Sequence, residues 1–242
     1  MRKLYIIGIG PGGKEHFTTH MADCLKESEA IVGYTPYLDY VKDFTTGKEC
    51  YSTGMKSEIQ RCQKAIDLAK SGITTSIIST GDAGLYGMAG PILQMAAEED
   101  IVIEVVPGIS SNFAAASRVG APIMHDSATI SLSDLMTPYE LIMERVRLAA
   151  RGDFVICFYN PRSKGRADYL EKAFAILKEE GFSGDRPVAV VKDACREGEE
   201  ITLATIDTID YEKIDMKTMV IVGNKTTYVE NGYMITPRGY EL

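Results

Sequence analysis

Two kinds of hydrophobic pattern alternate along the chain. Short apolar runs of strand length are separated by longer segments in which apolar residues recur every three or four positions. In segment 57–71, Ile59, Cys62, Ile66 and Ala69 are spaced to line one face of a helix. The pattern predicts strands over 3–9, 30–33, 73–79, 101–106, 128–132, 154–159, 188–191, 200–204 and 219–222. It predicts helices over 15–26, 57–71, 84–98, 111–119, 138–150 and 165–180.

This alternation of strands and helices predicts an α/β protein with helix-covered parallel sheets. Segment 188–222 lacks a helical pattern, so we expect the second sheet to be mixed, while the N-terminal sheet is mainly parallel. A glycine- and proline-containing boundary near 120–122 predicts an N-terminal domain over 1–118 and a C-terminal domain over 119–242. Ligands of such sheets bind beyond the carboxyl ends of strands, which predicts a cleft between the two domains.

Composition narrows the class of protein. No apolar run approaches the ~20 residues of a membrane span, and the N-terminus does not resemble a signal peptide, so we expect a cytoplasmic protein without a membrane partner. The net charge is −8 with no long basic run, which argues against nucleic acid as a partner. The five cysteines are scattered and form no C-x-x-C pair, so no metal site is expected.

Four glycine- or proline-marked loops directly follow predicted strands, at 8–13, 79–84, 107–111 and 160–166. The first matches the dinucleotide fingerprint G-x-G-x-x-G, which would make the chain an NAD(P)-dependent oxidoreductase. Pro11, however, removes a backbone N–H from the segment that would hold phosphate. The next strand also ends in Gly33 and Tyr34 rather than in a carboxylate for the ribose.

Three of these loops carry a recognisable combination of motifs: Gly8-Ile9-Gly10-Pro11-Gly12, then Thr80-Gly81-Asp82, then Val106-Pro107-Gly108-Ile109-Ser110. In this order and spacing they resemble the tetrapyrrole methylase family over essentially the whole chain. The resemblance implies transfer of a methyl group from S-adenosylmethionine to a macrocycle, by two α/β domains that bind the methyl donor between them, usually in a homodimer.

Within the family, the chain is most similar to the group that methylates C17 of precorrin-3B or cobalt-factor III with ring contraction, in cobalamin biosynthesis. That closer similarity lies in segments 33–37, 52–55, 125–134 and 158–163. The alternatives are a sibling methylase acting at another ring carbon, a non-catalytic tetrapyrrole-binding protein, and a methylase of RNA or a translation factor, which the acidic charge disfavours.

The resemblance also implies site residues. Contacts to the methyl donor are implied at Pro11, Thr80, Gly81, Asp82, Leu85, Ser110, Ser111, Asn160 and Ala194, and the loop with Gly10 and Gly12 lines the substrate trough. Asp82 is equally well interpreted as a turn residue that binds its own backbone.

Two further groups of side chains suit the implied substrate and its chemistry. Arg162, Lys164 and Arg166 fall within five residues and suit the carboxylates of a macrocycle. Lys56, Arg61 and Arg118 are weaker candidates for that role. Ring contraction needs proton movement, for which the adjacent His125 and Asp126 are the candidate acid/base pair, although a structural histidine at a strand start is the competing interpretation.

Overall fold

A computed structural model describes residues 3–240, and the chain divides into two compact units between Ser111 and Asn112. The predicted α/β class is confirmed. Within the described residues, the helices are too short or too polar to cross a membrane. All five cysteines carry free thiols.

The first unit is built on one parallel sheet. Its strands are β1 (Lys3–Gly8), β2 (Ala30–Tyr34), β3 (Glu49–Thr53), β4 (Thr75–Ser79) and β5 (Val102–Val106), in the order β3-β2-β4-β1-β5. Every neighbouring pair is parallel. Its helices are α1 (Thr19–Glu27), α2 (Thr35–Tyr40), α3 (Glu58–Lys70) and α4 (Ala89–Met95). All carboxyl ends of the strands therefore meet at one edge of the sheet.

Both faces of this sheet are buried, which explains the continuous apolar runs of its central strands. Leu4 and Ile6 of β1 pack in the cluster that contains Cys62 and Ile66 of α3. Tyr5 and Ile7 point to the opposite face, where the cluster is closed by α1 with Met21 and Leu25. The edge strand β3 was not predicted, because its residues are mostly polar and exposed.

Three predicted helices of this unit differ from the observed ones. Helix α1 begins only at Thr19, after a separate 3-10 turn over Lys14–His16, and the hydroxyl of Thr18 caps it by accepting from the Met21 amide. Helix α4 covers only seven residues of the predicted 84–98. The predicted face of α3 was wrong at Ile59, which is 61% exposed in the first turn of the helix.

The second unit contains a mixed sheet, as predicted. Strands β7 (Ser127–Ser131), β8 (Val155–Tyr159), β9 (Pro187–Lys192), β10 (Glu200–Thr205) and β11 (Thr218–Val222) are ordered β10-β9-β11-β8-β7. Only β7 and β8 pair in parallel, and the other neighbours are antiparallel. The helices are α5 (Ser111–Val119), α6 (Tyr139–Arg151) and α7 (Tyr169–Glu179), and a small sheet joins β6 (Gly120–Ala121) to β12 (Tyr228–Glu230) and β13 (Tyr233–Ile235).

Candidate active site

The loops after β1, β4 and β5 lie side by side at the carboxyl edge of the first sheet, because those three strands are neighbours. Gly10 and Gly81 pair directly: the Gly10 amide donates to the Gly81 carbonyl at 3.1 Å, and the Gly81 amide donates back at 2.8 Å. The loop that resembles a nucleotide fingerprint is therefore joined to the loop of Thr80 and Asp82. The structure brings these two predicted site segments together.

Asp82 joins the third loop to the same assembly. Its Oδ1 accepts from the Gly84 amide at 2.8 Å, and its Oδ2 accepts from the Gly108 amide at 3.1 Å. The turn interpretation of Asp82 therefore describes its observed contacts, while each carboxylate oxygen keeps a second lone pair for a ligand. We call the connected residues 8–12, 80–84 and 107–111 the glycine knot.

Close approach of backbones requires glycine at the centre of this knot. A Cβ on Gly108 would lie 2.4 Å from the Gly81 carbonyl oxygen and 2.5 Å from that of Gly8. A Cβ on Gly8 would lie 2.7 Å from the same Gly81 oxygen. Since these obstacles are backbone atoms, no side-chain adjustment can relieve them.

The knot presents hydroxyl groups that the protein itself does not use. Thr80, Ser110 and Ser111 make no side-chain hydrogen bond with any residue in the described part of the chain. Ser79, one position before Thr80, differs because its hydroxyl accepts from the Met88 amide. These three unengaged hydroxyls can bind a polar ligand.

The other predicted residues of this unit lie on the same loops. Pro11 is buried, whereas Gly12 is half-buried. Leu85 is half-buried and donates its amide to the Asp82 carbonyl at 3.3 Å. The structure therefore brings together the donor and trough residues predicted in the first unit, whereas the weaker candidates lie elsewhere: Lys56 follows β3, and Arg61 lies in the first turn of α3.

The dinucleotide interpretation of the first loop fails on geometry. Phosphate binding in that motif uses the N-terminus of the helix that follows the loop directly. Here a 3-10 turn intervenes, and α1 begins at Thr19 with the hydroxyl of Thr18 already bound to its first turn. The helix that follows the first loop therefore does not present its N-terminus to that loop.

In the second unit, Asn160 and Ala194 lie at a shared edge of the mixed sheet. They follow β8 and β9, which run in the same direction because each is antiparallel to β11. Asn160 adopts a positive φ of 50° and donates its side-chain amide to the Ser131 hydroxyl at 2.9 Å.

The loop that carries Ala194 is strained and clamped. Its neighbours Asp193 and Cys195 have φ values of 46° and 61°, which are uncommon for residues other than glycine. Glu199 holds the loop, since its carboxylate accepts from the Cys195 amide at 2.6 Å. The same carboxylate pairs with the guanidinium of Arg118 through three contacts of 2.9 Å. Arg118 is therefore engaged in positioning this loop.

The predicted cationic cluster is only partly available to a ligand. Arg162 donates to the Tyr211 carbonyl at 2.5 Å and pairs with Glu212 at 2.6 Å. Arg166 donates to the Leu132 carbonyl at 2.9 Å. Lys164 is exposed and makes no ion pair among residues 3–240.

His125 and Asp126 lie apart from these groups. They precede β7, and the Asp126 carbonyl accepts from the amide of Val155 at the start of β8, so they occupy the amino end of the two parallel strands. Asn160 follows the carboxyl end of β8, a strand length away. The exposed His125 accepts the Asp126 amide at Nδ1, at 2.8 Å, which leaves Nε2 as the protonated nitrogen of a neutral ring. Their acid–base role stays a prediction.

Sequence analysis did not single out Asn112 and Tyr159 of the second unit. The Tyr159 hydroxyl accepts from the Asn112 amide at 3.1 Å and donates to the Asn112 Oδ1 at 3.2 Å. Asn112 is buried, and its side-chain amide also donates to Thr129. A buried asparagine next to a predicted ligand loop was the available signal, because buried polar groups need partners.

One further group of side chains has metal-ligand spacing within the described residues. Ligand atoms of His20, Cys24 and Glu104 lie within 4.8 Å of one another. Glu104 pairs with His20 at 2.7 Å and with Lys3 at 3.5 Å, so ion pairing accounts for the arrangement. Burial is the main factor that raises the pKa of the Cys24 thiol, which disfavours the thiolate that metals bind.

The two α/β units and the glycine knot carry the motifs that resemble the tetrapyrrole methylases, and the comparison with known families identifies the same class of protein. Residues 3–210 match the model of the tetrapyrrole (corrin/porphyrin) methylases, and the chain belongs to this family. A probable cobalt-factor III C(17)-methyltransferase of Salmonella typhimurium is 50% identical over 99% of this chain and 100% of its own length.

Two further known proteins are similar to this chain over nearly its whole length. A precorrin-3B C(17)-methyltransferase of a Sinorhizobium species is 33% identical over 98% of this chain and 96% of its own length. The crystal structure of the methyltransferase CobJ superposes with a TM-score of 0.92 at 32% identity, covering 97% of this chain and 99% of that one.

Proposed function

We propose that this chain is an S-adenosylmethionine-dependent methyltransferase that acts at C17 of a precorrin-3B or cobalt-factor III macrocycle, with ring contraction, in cobalamin biosynthesis. The observation that carries the proposal is the glycine knot, which bears the family's motifs at a site where strands of an open α/β sheet bind ligands. The 50% identity with a full-length C(17)-methyltransferase supports the choice of ring carbon.

The residues of the knot fit the proposed methyl donor. S-adenosylmethionine, when bound, supplies a methyl group on a positively charged sulfur. Its ribose, carboxylate and ammonium groups need polar partners, and Thr80, Ser110 and Ser111 offer three unengaged hydroxyls. The carboxylate of Asp82, held by two backbone amides, attracts the ammonium or sulfonium charge. Asn160 and Ala194 are proposed contacts of the second unit.

Positioning is the main work required of the protein. The C17 carbon attacks the methyl carbon in line with the carbon–sulfur bond; that bond breaks, and neutral S-adenosylhomocysteine leaves. No protein nucleophile is needed, so rigid placement of the two reactants supplies the catalysis. A backbone-built knot suits this task, because main-chain groups lose little conformational freedom on binding.

Proton transfer during ring contraction is proposed for His125, with Asp126 beside it. The neutral ring carries its proton on Nε2, which is the side not engaged by the Asp126 amide. His125→Asn should keep methyl transfer and slow formation of the contracted ring, as followed by mass spectrometry of single turnovers. Equal rates of both steps in the variant would remove His125 from the mechanism.

The decisive experiment uses deuterated methyl donor with precorrin-3B and with cobalt-factor III, and locates the label by NMR. We expect label at C17, and we expect faster turnover of the cobalt-carrying substrate, since that name is carried by the relative at 50% identity. Label at another ring carbon would identify a sibling activity, and tight macrocycle binding without transfer would identify a non-catalytic protein. If calorimetry showed binding of NAD(P) and no binding of S-adenosylhomocysteine, the assignment as a methyltransferase would be wrong.

We also propose that the enzyme is a homodimer, as the family resemblance implies. Sedimentation equilibrium of the purified chain tests this, and a mass of 26.5 kDa at all concentrations would contradict it.

A further inference from the structure

The ends of β2 and β3 continue the row of loops formed by the glycine knot. The sheet order β3-β2-β4-β1-β5 places β2 beside β4, and every strand ends at the same edge. The knot occupies the ends of β4, β1 and β5. The remaining two ends carry residues 34–37 and 53–59, which we call the β2–β3 wall.

Arg61 ties the two halves of this wall together. Its guanidinium donates to the Thr53 hydroxyl at 2.7 Å and to the Gly54 carbonyl at 2.9 Å, and it lies 5.9 Å from the centre of the Tyr34 ring. The Thr35 hydroxyl donates to the Thr53 carbonyl at 3.2 Å, which adds a second connection. Arg61 is 5% exposed, so this cation serves the protein rather than a ligand.

The outer surface of the wall carries exposed apolar side chains and one cation, beside Glu58, whose carboxylate pairs with Arg61. Met55 is 75% exposed and Ile59 is 61% exposed. Lys56 lies between them in sequence, with a φ of 61°, and makes no ion pair within residues 3–240. An apolar surface next to an unpaired ammonium matches a tetrapyrrole, whose ring faces are apolar and whose periphery carries carboxylates.

Two of the segments that are similar to the C17 group lie at strand ends outside the glycine knot. The knot carries the motifs by which the chain resembles the whole family, and the methyl donor is the ligand that the whole family shares. Segments 33–37 and 52–55, which carry the closer similarity to the C17 group, both lie in or next to the wall. Residues that distinguish a subgroup are expected to contact the ligand that differs between subgroups.

We propose that the β2–β3 wall is a binding surface for the macrocycle, in which Met55 contacts the ring face, Lys56 pairs with a peripheral carboxylate, and Arg61 is a positioning residue. This inference rests on the proposed function, because it takes the substrate to be a tetrapyrrole. It adds a second part of the first unit to the substrate trough that the resemblance places at Gly10 and Gly12.

The test measures macrocycle and methyl-donor affinity separately. For Met55→Gln and Lys56→Gln, we expect the affinity for precorrin-3B and cobalt-factor III, followed by absorbance, to fall about threefold each and about tenfold together. The affinity for S-adenosylhomocysteine should stay unchanged in calorimetry. Leu93→Gln on α4 and Lys26→Gln on α1 are matched exposed controls and should affect neither ligand.

Arg61→Lys tests the positioning role. Loss of the forked contact should raise the KM for the macrocycle about tenfold more than it changes kcat, with methyl-donor affinity preserved. A merely structural role would instead lower the thermal midpoint and the active fraction without that split. If the Met55 and Lys56 variants bind the macrocycle as tightly as the wild type does, the β2–β3 wall is not a macrocycle-binding surface, whichever carbon the wild-type enzyme methylates. If the wild type transfers no methyl group to C17 but these variants still bind the macrocycle more weakly, the proposed function is wrong and the binding surface stands.

Discussion

The substitution Gly108→Ala tests the glycine knot most directly. The new Cβ would meet two carbonyl oxygens at 2.4 and 2.5 Å, so the loops after β1, β4 and β5 must separate. Overpacking of this kind costs about 1–3 kcal/mol, and displacing the Gly108 amide from Asp82 costs about 1 kcal/mol more. Reduced freedom of the unfolded chain returns about 0.4–1 kcal/mol, which leaves a net loss of about 2 kcal/mol.

A loss of that size leaves the protein folded, since domains are stable by about 5–15 kcal/mol. The chain has no tryptophan, so urea unfolding is best followed by far-UV circular dichroism. Calorimetry with S-adenosylhomocysteine should show at least about tenfold weaker binding, because a shift of the knot moves its hydroxyls and amides together.

Gly90→Ala is the matched control. Gly90 lies in α4 before Pro91, and a Cβ there meets nothing within 4 Å apart from its chain neighbours. Because the helix propensity gained by alanine is offset by its contact with the proline ring, this variant should change stability by less than about 1 kcal/mol and bind the ligand normally. If Gly108→Ala unfolds and binds like Gly90→Ala, the close approach of the three loops is not what shapes the site.

Three further outcomes follow from contacts of the side chains. Glu199→Gln should weaken S-adenosylhomocysteine binding about threefold in calorimetry, because a neutral acceptor clamps the loop after β9 less firmly; unchanged affinity would separate that loop from the methyl donor. Arg162→Gln should lower the thermal midpoint while Lys164→Gln lowers only macrocycle affinity, since of these two side chains only that of Arg162 has partners among residues 3–240; equal effects on both readouts would contradict this division. Burial raises the pKa of Cys62 to about 11 and that of Cys157 to about 12, above the ordinary 9.0. The folded protein therefore holds these two protons more tightly than the unfolded chain does. Both thiols stabilise the fold fully below pH 9.0, and this stabilisation is lost as the pH rises through those values. Urea unfolding should show that loss, by at most about 1.4 kcal/mol per pH unit for each thiol, and a flat profile up to pH about 11 would contradict it.

The periodicity of the chain predicted the α/β class and the central strands, because buried parallel strands are nearly continuous apolar runs. It could not predict β3, whose residues are mostly exposed at the sheet edge. It also placed Ile59 inside, since a spacing rule contains no information on which turns of a helix are covered by the rest of the protein.

For the site, motif spacing predicted which loops carry ligand residues but not how they are joined. The pairing of Gly10 with Gly81 depends on a strand order that is not local in sequence. The charges of Arg61, Arg118 and Arg162 suggested binding to a substrate, whereas their guanidinium groups are used within the protein. A sequence gives the number of cations, and only the fold gives their partners.

The three loops of the glycine knot are joined by the main-chain pair of Gly10 and Gly81 and by the Asp82 carboxylate, so they should open as one cooperative unit. The amides of Gly10, Gly81 and Gly108 all lie in that connected set. In native-state hydrogen exchange they should therefore exchange with a common opening free energy, although they are distant in sequence. A ligand held by any one loop should therefore slow exchange at all three and stabilise the carboxyl edge of the sheet as a whole.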